Sequence, residues 1–528
     1  MKTYPPFIAG REEPADKWIH VLRASALLED AFGAMKLKRT LDRGGQVPSE
    51  DDRIVGRVGL VSKEQSARAL AEARRAQRIW ARVPFKERLA VGEAVNARFV
   101  AHAEEFVEVL IAEGHPRRLA QWEVAGIIQG SSPETLAVNA EMMSRTDRSG
   151  QRETRVVRKP DGVVCISPPQ NAAVANSLLG LPTLVGGNAV VIKAPRSVPF
   201  GTAWAWRELI APVMEDFGAP PGVFSIVCDA PRRQLDLWLN SPDVDDIMFF
   251  GSSDRGLAIE RECVTHGKKP VLELAGNDGL MVWKDAEVEL AARAAAECFY
   301  GSAQICMVPK YALVHPDVAE AFTEALRVAV SEIRPGMPEE EGALLSPVIK
   351  TEDFFATLNS ALDAGATLVS GGDRLDHSGT ASSSGVFVSP TLLRVDGLET
   401  ARGLDAVREE TFFPLLPVVV PRRDEDAALL EDMLAFLDSN AYGLRNSLWA
   451  QDPLVIDAFC EGVQSGGLLK VNDSHLGFVG GLPTHGGTGR TGGAHGECNF
   501  PMLRTTHLQG ISIATAVTPR ESVFDSVR

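Results

Sequence analysis

Apolar and charged residues recur at helical spacing along residues 64–112. Two stretches, S-A-R-A-L-A-E-A-R-R-A-Q-R-I-W and A-V-G-E-A-V-N-A-R-F-V, place apolar side chains three and four positions apart among charged ones. A 3.6-residue period gives each helix one apolar and one polar face. The pattern predicts helices that pack by one face and expose the other.

Short β-rich runs follow, each ended by turn residues. The run 162–167 (G-V-V-C-I-S) is closed by two prolines, an apolar helix follows, and a second run covers 189–193. Bounded aliphatic runs of this length are typical of strands. The order repeats at Val223 and Asp246, which predicts a parallel sheet covered by helices.

A second cycle begins at Val271. Strand candidates at 280–283, 311–314, 367–369 and 415–420 alternate with helical stretches, so a second α/β unit is expected. The segment 374–385 is rich in Ser, Gly and Asp and predicts a solvent loop.

Length and cysteine content limit the class of protein. A chain of 528 residues exceeds the size at which one core keeps growing, so two or three structural units are expected. The seven cysteines are odd in number and lack C-x-x-C or Cys/His spacing. This argues against a disulfide framework or a zinc site and favours a reducing cytoplasm. They are Cys165, Cys228, Cys263, Cys298, Cys306, Cys460 and Cys498.

The charge excludes some partners. A formal net charge of -16 disfavours nucleic acid, because binding to its phosphates needs clustered Lys and Arg. No apolar run reaches the roughly 18–20 residues that span a bilayer, and the N-terminus M-K-T-Y-P-P-F lacks the apolar core of a signal peptide. A soluble, cytoplasmic protein without a membrane partner is expected.

Cys306 is the candidate nucleophile. It ends F-Y-G-S-A-Q-I-C, and the turn Gly301–Ser302 is expected to place it near helix N–H groups that lower the pKa of its thiol. A buried structural cysteine is the alternative for any cysteine taken alone.

Two further residues suit the chemistry of a carbonyl group. Glu273 lies between Leu272 and Leu274, and burial there would raise its pKa and suit a general base. Asn171 follows two prolines after a predicted strand, where its amide could donate to a developing oxyanion. The alternatives are an exposed strand-end carboxylate and an ordinary turn residue.

Four motifs together carry a resemblance. S-P-P-Q-N ending at Asn171, E-L-A-G beginning at Glu273, the Cys306 octapeptide and E-E-T-F-F-P at 409–414 resemble the signature set of the NAD(P)-dependent aldehyde dehydrogenase superfamily, across residues 55–510. Position 303 departs from the pattern, since the family has glycine where this chain has Ala303.

The resemblance implies an α/β fold with two parallel-sheet domains and a β-ribbon oligomerisation element. Its expected parts are a dinucleotide-binding domain at 1–142 and 161–270, a catalytic domain at 271–475 and a ribbon at 143–160 and 498–518. In the ribbon, residues 154–158 are expected to pair with a late strand near 507–514. A homodimer or homotetramer is expected.

The implied reaction is oxidation of an aldehyde to a carboxylic acid. Cys306 attacks the aldehyde, Asn171 and the Cys306 backbone N–H stabilise the oxyanion, hydride passes to the nicotinamide, and Glu273 activates water to cleave the thioester. Family branches that transfer the acyl group to coenzyme A usually lack this glutamate, so Glu273 favours hydrolysis. An acyl-transferring enzyme and a catalytically silent structural relative are the alternatives.

The resemblance also assigns the adenosine end of the cofactor site. Lys193 matches a lysine that reaches the adenosine ribose, and Arg196 stands where many NAD-preferring members carry glutamate. A cation there favours a 2'-phosphate, so NADP is expected over NAD.

The pyrophosphate and nicotinamide follow from the same resemblance. Gly251 and Ser252 resemble a G-S-T sequence at the start of a helix beneath the pyrophosphate. Glu410 and Phe412 match residues that hold the nicotinamide ribose and pack beside the ring, and Phe413 replaces the usual glycine. The remaining predicted cofactor-binding residues, in the turn before Asn171, are Ser167 and Pro169.

Small residues along the expected substrate tunnel predict a long or bulky aldehyde. Ala172 and Ala173 replace an aromatic residue and a proline, and Leu179 follows them. The alternative is that Phe478 or Trp204 fills the gap.

A glycine-rich stretch at 480–496 resembles the family's late turn after the active-site wall. Its two histidines, His485 and His495, are expected to be surface or turn residues rather than metal ligands.

Overall fold

The computed structural model describes residues 1–45, 51–149 and 152–514. The parts of the expected domains at 46–50, 150–151 and 515–518 lie outside the described residues. None of the helices in the described part of the chain is long and apolar enough to cross a membrane.

The N-terminal segment forms a small sheet and a layer of helices. Helix α3 begins at a capping box in which the Ser62 and Gln65 side chains each bind the other's backbone N–H, which satisfies two donors at the helix start. The helices predicted at 64–112 are confirmed as α3, α4 and α5. The strands are β1 (Lys2–Tyr4), β2 (Phe7–Ile8), β3 (Arg11–Glu12), β4 (Trp18–Leu22) and β5 (Ile54–Gly59), and the helices are α1 (Ala24–Glu29), α2 (Ala31–Asp42), α3 (Lys63–Trp80), α4 (Phe85–Ala101), α5 (Ala103–Ala112), α6 (Arg117–Gly130) and α7 (Pro133–Glu141).

The next segment builds the first large sheet, in the order β12-β11-β8-β9-β10-β2-β3. Strands β8 to β12 are parallel, and β9 and β10 are buried throughout, as expected for strands covered on both faces. The strands are β6 (Ser144–Ser149), β7 (Arg152–Pro160), β8 (Val163–Ser167), β9 (Ala189–Ala194), β10 (Phe224–Cys228), β11 (Asp246–Phe250) and β12 (Lys269–Glu273). The helices are α8 (Ala173–Ser177), α9 (Gly180–Val185), α10 (Phe200–Trp204), a π-helical stretch (Ala205–Ile210), α11 (Ala211–Asp216), α12 (Pro231–Asn240) and α13 (Ser253–Thr265).

The second large sheet has the order β15-β18-β19-β14-β13-β21-β22. The solvent loop predicted at 374–385 is wrong at its start, because Arg374 and Leu375 pair with Val388 and Phe387. The strands of this sheet are β13 (Asp278–Val282), β14 (Pro309–Val314), β15 (Thr367–Ser370), β18 (Thr391–Asp396), β19 (Leu415–Val420), β21 (Arg445–Trp449) and β22 (Leu468–Val471). The same segment contains the hairpin of β16 (Arg374–Leu375) and β17 (Phe387–Val388) and the short strand β20 (Tyr442–Gly443). The helices are α14 (Val288–Ala296), a 3-10 stretch (Glu297–Ala303), α15 (Ala319–Ser331), α16 (Thr351–Asp363), α17 (Leu398–Gly403), α18 (Asp405–Arg408), α19 (Asp426–Asp438) and α20 (Pro453–Gly462).

The C-terminal segment returns to the first half of the chain. Its last strand pairs antiparallel with β7 from Thr506 opposite Pro160 to Ala514 opposite Arg152, so the strand pairing expected between 154–158 and 507–514 is present. The role of this sheet in oligomerisation stays a prediction, as do the domain boundaries. The elements are β23 (His485–Gly486), α21 (Gly489–Gly492), β24 (Cys498–Asn499), α22 (Pro501–Arg504) and β25 (Thr506–Ala514).

Candidate active site

A cavity of about 690 Å³ is lined by residues from both large α/β units. All three predicted catalytic residues, Asn171, Glu273 and Cys306, line it. Five of the predicted cofactor-binding residues line it as well, namely Pro169, Gly251, Ser252, Glu410 and Phe412. The other three lie at the carboxyl edge of the first sheet: Ser167 ends β8, Lys193 is the next-to-last residue of β9, and Arg196 follows two residues after β9.

Cys306 lies in a turn between the 3-10 stretch and β14. The backbone before it is left-handed at Gly301, Ser302 and Ala303, with φ of 61°, 58° and 58°. Glycine adopts this conformation freely, whereas alanine is strained in it by roughly 1–2 kcal/mol. The Ser302 hydroxyl holds the turn by donating to the Ser346 carbonyl at 2.6 Å and accepting from its N–H at 3.0 Å.

The expected lowering of the Cys306 pKa is wrong for this structure. The thiol follows the end of the 3-10 stretch and does not begin a helix. Burial raises its pKa to about 12, and the Glu410 and Asp278 carboxylates add to the rise.

A hydrogen bond donated by its side-chain amide holds Asn171 in place. Its Nδ2 donates to the backbone carbonyl of Gln304 at 2.9 Å, and the Gln304 side chain donates to the Pro347 carbonyl at 2.8 Å. A side-chain amide has two N–H donors, so Asn171 keeps a second donor while the first holds it beside the Cys306 turn.

Glu273 ends β12 and is 8% exposed. One carboxylate oxygen accepts a hydrogen bond from the backbone N–H of Gly486, and the Leu274 N–H donates to the Thr491 carbonyl at 2.9 Å. The glycine-rich stretch therefore holds the candidate base. The expected rise in the Glu273 pKa stays a prediction.

Gly276 brings the Glu273 turn against the nucleophile. A Cβ at this position would overlap the carbonyl oxygen of Cys306, so only glycine allows the two backbones to approach this closely. The sequence E-L-A-G thus requires its last residue for packing against the Cys306 turn.

The edge of the first sheet fits a dinucleotide pyrophosphate. Ser252 precedes α13, a helix of 13 residues whose first N–H groups donate no hydrogen bond to the Ser252 side chain. The neighbouring Ser253 hydroxyl is buried and has no hydrogen-bond partner among the described residues. Such a helix start attracts an anion.

The adenosine end of this edge is rich in cations. Lys193 is 4% exposed, and burial lowers its pKa while Cys228 and Asp229 oppose that shift. Arg196 is exposed. Arg233 binds Asp229 through both carboxylate oxygens, with Nε at 2.6 Å from Oδ2. Lys193, Arg196 and Asp229 all lie close enough to shift the pKa of the Cys228 thiol, and Arg233 joins them through Asp229.

The nicotinamide end of the predicted cofactor site contains Glu410 and Phe412. The Glu410 carboxylate accepts from the Gly276 N–H at 3.1 Å, and burial raises its pKa to about 7. Phe412 is 38% exposed. Phe413 is largely buried and packs edge-on against Phe354 at 5.5 Å, which explains how a large ring replaces the family's glycine.

An aromatic wall closes the predicted substrate side of the cavity. The rings of Trp122 and Phe478 stack with centroids 5.1 Å apart and an interplanar angle of 24°. The indole Nε1 of Trp122 is buried without a hydrogen-bond partner among the described residues. Ala172 and Leu179 also line the cavity.

One expectation about the substrate tunnel, the position of Ala173 on its wall, is wrong, and one of the two alternative fillers lies elsewhere. Ala173 is buried in α8, so its methyl group does not belong to the cavity wall. Trp204 is fully buried against Phe106, with ring centroids 5.2 Å apart. Of the two residues considered as fillers of the tunnel, Phe478 alone lines the cavity.

His485 is partly buried and begins the short strand β23, whereas His495 is exposed. His485 lines the cavity with its Nδ1 2.6 Å from the Thr484 hydroxyl, and burial lowers its pKa to about 4. The described residues contain no group of three His, Cys, Asp or Glu side chains that could hold a metal ion.

Sequence reasoning missed a buried ionic group in the cavity wall. His115 and Glu123 line the cavity and pair through Nε2 and Oε2 at 3.2 Å. Burial alone would lower the His115 pKa, but the Glu123 carboxylate reverses this, and the pKa is raised to about 9. Glu113 lies nearby and accepts from the Phe200 and Gly201 N–H groups at 2.9 Å each.

Comparison with known proteins identifies the family. The model of the aldehyde dehydrogenase family matches residues 46–504, so the chain belongs to the aldehyde dehydrogenase family, whose members are NAD(P)-dependent oxidoreductases.

Individual proteins extend this likeness. Vanillin dehydrogenase from Pseudomonas fluorescens is 29% identical over 490 residues, covering 89% of this chain and 95% of that protein. Benzaldehyde dehydrogenase [NAD(+)] from Pseudomonas putida is 28% identical over 466 residues, covering 84% and 89%. The structure of an NAD-dependent aldehyde dehydrogenase from Sinorhizobium meliloti shares the fold with a TM-score of 0.80 at 20% identity, covering 98% and 96%. The predicted α/β fold with two parallel-sheet units is confirmed.

Proposed function

We propose that this protein oxidises a bulky aromatic aldehyde to the carboxylic acid, with NADP as the preferred cofactor and Cys306 as the nucleophile. The observation that carries the proposal is the convergence of Cys306, Glu273 and Asn171 on one cavity with a stacked aromatic wall. Relatives named for vanillin and benzaldehyde support the aromatic class.

The first step uses the thiol and the amide. The Cys306 proton passes to a base, for which the Glu273 carboxylate in the same cavity is the candidate. The sulfur then bonds to the aldehyde carbon, and the free N–H of Asn171 stabilises the resulting oxyanion. NAD(P), which Ser252 and Glu410 would hold beside Cys306, would supply the hydride acceptor that the conversion of the thiohemiacetal to a thioester requires.

The second step releases the acid. Glu273 first releases the proton taken from Cys306 to solvent and then removes a proton from water, the hydroxide adds to the thioester carbon, and the carbon–sulfur bond breaks to return the Cys306 thiolate. Because Gly486 fixes one carboxylate oxygen, the glycine-rich stretch orients the base. Hydrolysis rather than acyl transfer to coenzyme A is the proposed outcome.

The cofactor preference rests on charge. Lys193, Arg196 and Arg233 outnumber Asp229 at the edge of β9 and β10. This excess suits a 2'-phosphate, which arginine recognises through charge-assisted hydrogen bonds. NAD is the alternative cofactor.

Oligomerisation is proposed through the sheet β6-β7-β25. Its exposed apolar residues Val156, Leu508 and Ile513 would be covered by a second copy of the chain. The proposed assembly is a homodimer or homotetramer.

The proposal is tested by absorbance at 340 nm with benzaldehyde, vanillin and aliphatic aldehydes, each with NADP or NAD and with or without coenzyme A. Rapid formation of the free aryl acid without coenzyme A is expected, and Cys306→Ala should abolish it. Cys460→Ala, at an exposed cysteine, is the matched control and should keep its rate. Substantial turnover by Cys306→Ala, or turnover that requires coenzyme A, would contradict the proposal.

A further inference from the structure

Lys310 is a fully buried cation in a strand whose other residues are apolar or aromatic. It belongs to β14, P-K-Y-A-L-V, which is buried at all six positions, and Lys310 itself is 0% exposed. Removing an ammonium group from water is costly unless its hydrogen bonds and charge are compensated. A buried lysine at this position therefore needs specific partners.

The partners of Lys310 belong to two parts of the active site. Its Nζ donates to the Ala303 carbonyl at 2.8 Å, three residues before Cys306, and to the Thr411 carbonyl at 2.9 Å. It also lies 5.5 Å from the ring centre of Phe412, a distance at which a cation is attracted to an aromatic ring. One ammonium group thus joins the Cys306 turn to the segment proposed to contact the nicotinamide.

We propose that Lys310 is a positioning residue: its ammonium group holds the Cys306 turn against residues 410–412. Its positive charge also favours the thiolate of Cys306. The inference deepens the proposed function, since it takes Cys306 as the nucleophile.

The charges around Cys306 support this role. Glu410 and Asp278 raise the pKa of the thiol, while Lys310 and Arg445 lower it. Lys310 bonds directly to the Ala303 carbonyl, three residues before Cys306. The Arg445 guanidinium donates to the carbonyls of His475 and Thr484, at 2.9 and 3.2 Å.

The experiment measures alkylation of Cys306 in the full-length protein without aldehyde. Iodoacetamide reacts with the thiolate, and mass spectrometry of the Cys306 peptide separates its reaction from that of exposed Cys460. The rate constant is followed between pH 7 and 9.5. Because no turnover is needed, a failed inference about Lys310 is distinguishable from a failed proposed function, which Cys306→Ala tests separately.

Three variants separate charge from hydrogen bonding. Lys310→Met removes both, Lys310→Gln keeps a donor without charge, and Lys310→Arg keeps the charge. Met and Gln are expected to lower the Cys306 rate constant about tenfold, which corresponds to one pKa unit, while Arg stays within threefold of the wild type. The Met and Gln variants should also lower kcat more than they change KM.

Lys470→Met is the matched control. Lys470 is also a buried lysine of the second α/β unit and donates to the Gly477 carbonyl at 2.8 Å. Its replacement therefore tests whether the loss of any buried lysine loosens this unit enough to change Cys306 alkylation. It should leave the pH dependence of Cys306 alkylation unchanged. Wild-type alkylation rates in Lys310→Met, or in Lys310→Gln should the Met variant fail to fold, would overturn the inference. An equal fall in the Cys306 alkylation rate in Lys470→Met would also overturn the inference.

Discussion

The side-chain amide of Asn171 donates a 2.9 Å hydrogen bond to the backbone carbonyl of Gln304, two residues before Cys306. The bond joins the loop after β8 to the nucleophile's turn, so one residue connects the two large units at the cavity. It also fixes the direction in which the second N–H of Asn171 can point.

Asn171→Ala should therefore reduce kcat by about 10²- to 10³-fold, the usual effect of losing one oxyanion donor. Benzaldehyde oxidation under saturating cofactor measures this. Gln170→Ala, at the exposed neighbouring position, is the control and should stay close to the wild type. A kcat for Asn171→Ala within threefold of the wild type would remove the oxyanion role.

Glu273→Gln should separate the two chemical steps. The amide cannot take a proton from water, so the first turnover should still produce reduced cofactor in a burst while steady-state turnover becomes slow. Stopped-flow absorbance at 340 nm distinguishes the two phases.

Glu260→Gln is the control for Glu273, because the Glu260 carboxylate also accepts a backbone N–H from the glycine-rich stretch, from Ala494 at 2.9 Å. It tests whether loosening this stretch is enough to slow turnover. An unchanged steady-state rate for Glu273→Gln over the whole pH range would rule out the base.

Arg196→Glu should move cofactor preference from NADP toward NAD by on the order of tenfold or more, since tenfold corresponds to about 1.4 kcal/mol and a charged phosphate contact is of at least that size. The measurement is the ratio of kcat/KM for the two cofactors. Arg232→Glu is the control, because Arg232 pairs with Asp236 and Glu262 on the surface. A wild-type preference for NAD would contradict the prediction.

The sequence predicted those parts of the site that depend on local motifs. Asn171, Glu273 and Cys306 were each recognisable from short strings, and the parallel order of β8 to β12 followed from aliphatic runs ended by turn residues. Parallel strands place their carboxyl ends at one edge of a sheet, so the convergence of these motifs was predictable.

The remaining parts depend on contacts between distant segments. The stacking of Trp122 on Phe478 joins residues more than 300 positions apart, and no local pattern encodes it. The pKa of Cys306 depends on burial, which its motif does not specify. Lys310 is visible in the sequence as a single charged residue in an otherwise apolar run, but its partners could be identified only from the fold.

The ionic pair of His115 and Glu123 should make thermal stability depend on pH. The His115 pKa is raised from 6.5 to about 9, so the folded protein binds this proton more tightly than the unfolded chain does. The resulting stabilisation is fully present below pH 6.5 and is lost as the pH rises through about 9. Burial raises the Glu113 pKa from 4.5 to about 7, so titration of Glu113 affects stability at a lower pH than titration of His115 does.

The Tm difference between the wild type and His115→Gln should therefore be largest near pH 6.5–7 and should shrink by pH 9.5. Differential scanning fluorimetry between these limits measures it. His102→Gln, at a histidine whose side chain is 36% exposed and which lies between α4 and α5, provides the control. A Tm difference that stays constant over this range would exclude the raised His115 pKa as its cause.

The aromatic wall should set substrate preference. Trp122 and Phe478 present stacked rings to the cavity, and the small side chain of Ala172 leaves room beside them. Stacked or edge-to-face aromatic contacts contribute about 0.5–1.5 kcal/mol beyond the burial of apolar area, while each buried methylene contributes about 0.8 kcal/mol. Aryl aldehydes gain both contributions and acetaldehyde gains almost neither, so kcat/KM should be much higher for benzaldehyde than for acetaldehyde.

Phe478→Ala should lower kcat/KM for benzaldehyde and vanillin by on the order of tenfold, because a loss of about 1.4 kcal/mol is one decade, while acetaldehyde changes by less than threefold. Phe32→Ala, at a residue that is 83% exposed, is the control for a lost phenylalanine outside the cavity. The measurement is kcat/KM along a series from acetaldehyde to decanal together with the two aryl aldehydes. A wild-type maximum of kcat/KM at two or three carbons would mean that Phe478 closes the cavity to larger substrates. An equal fall of kcat/KM for all aldehydes in Phe478→Ala would mean that the ring stabilises the fold and does not contact the substrate.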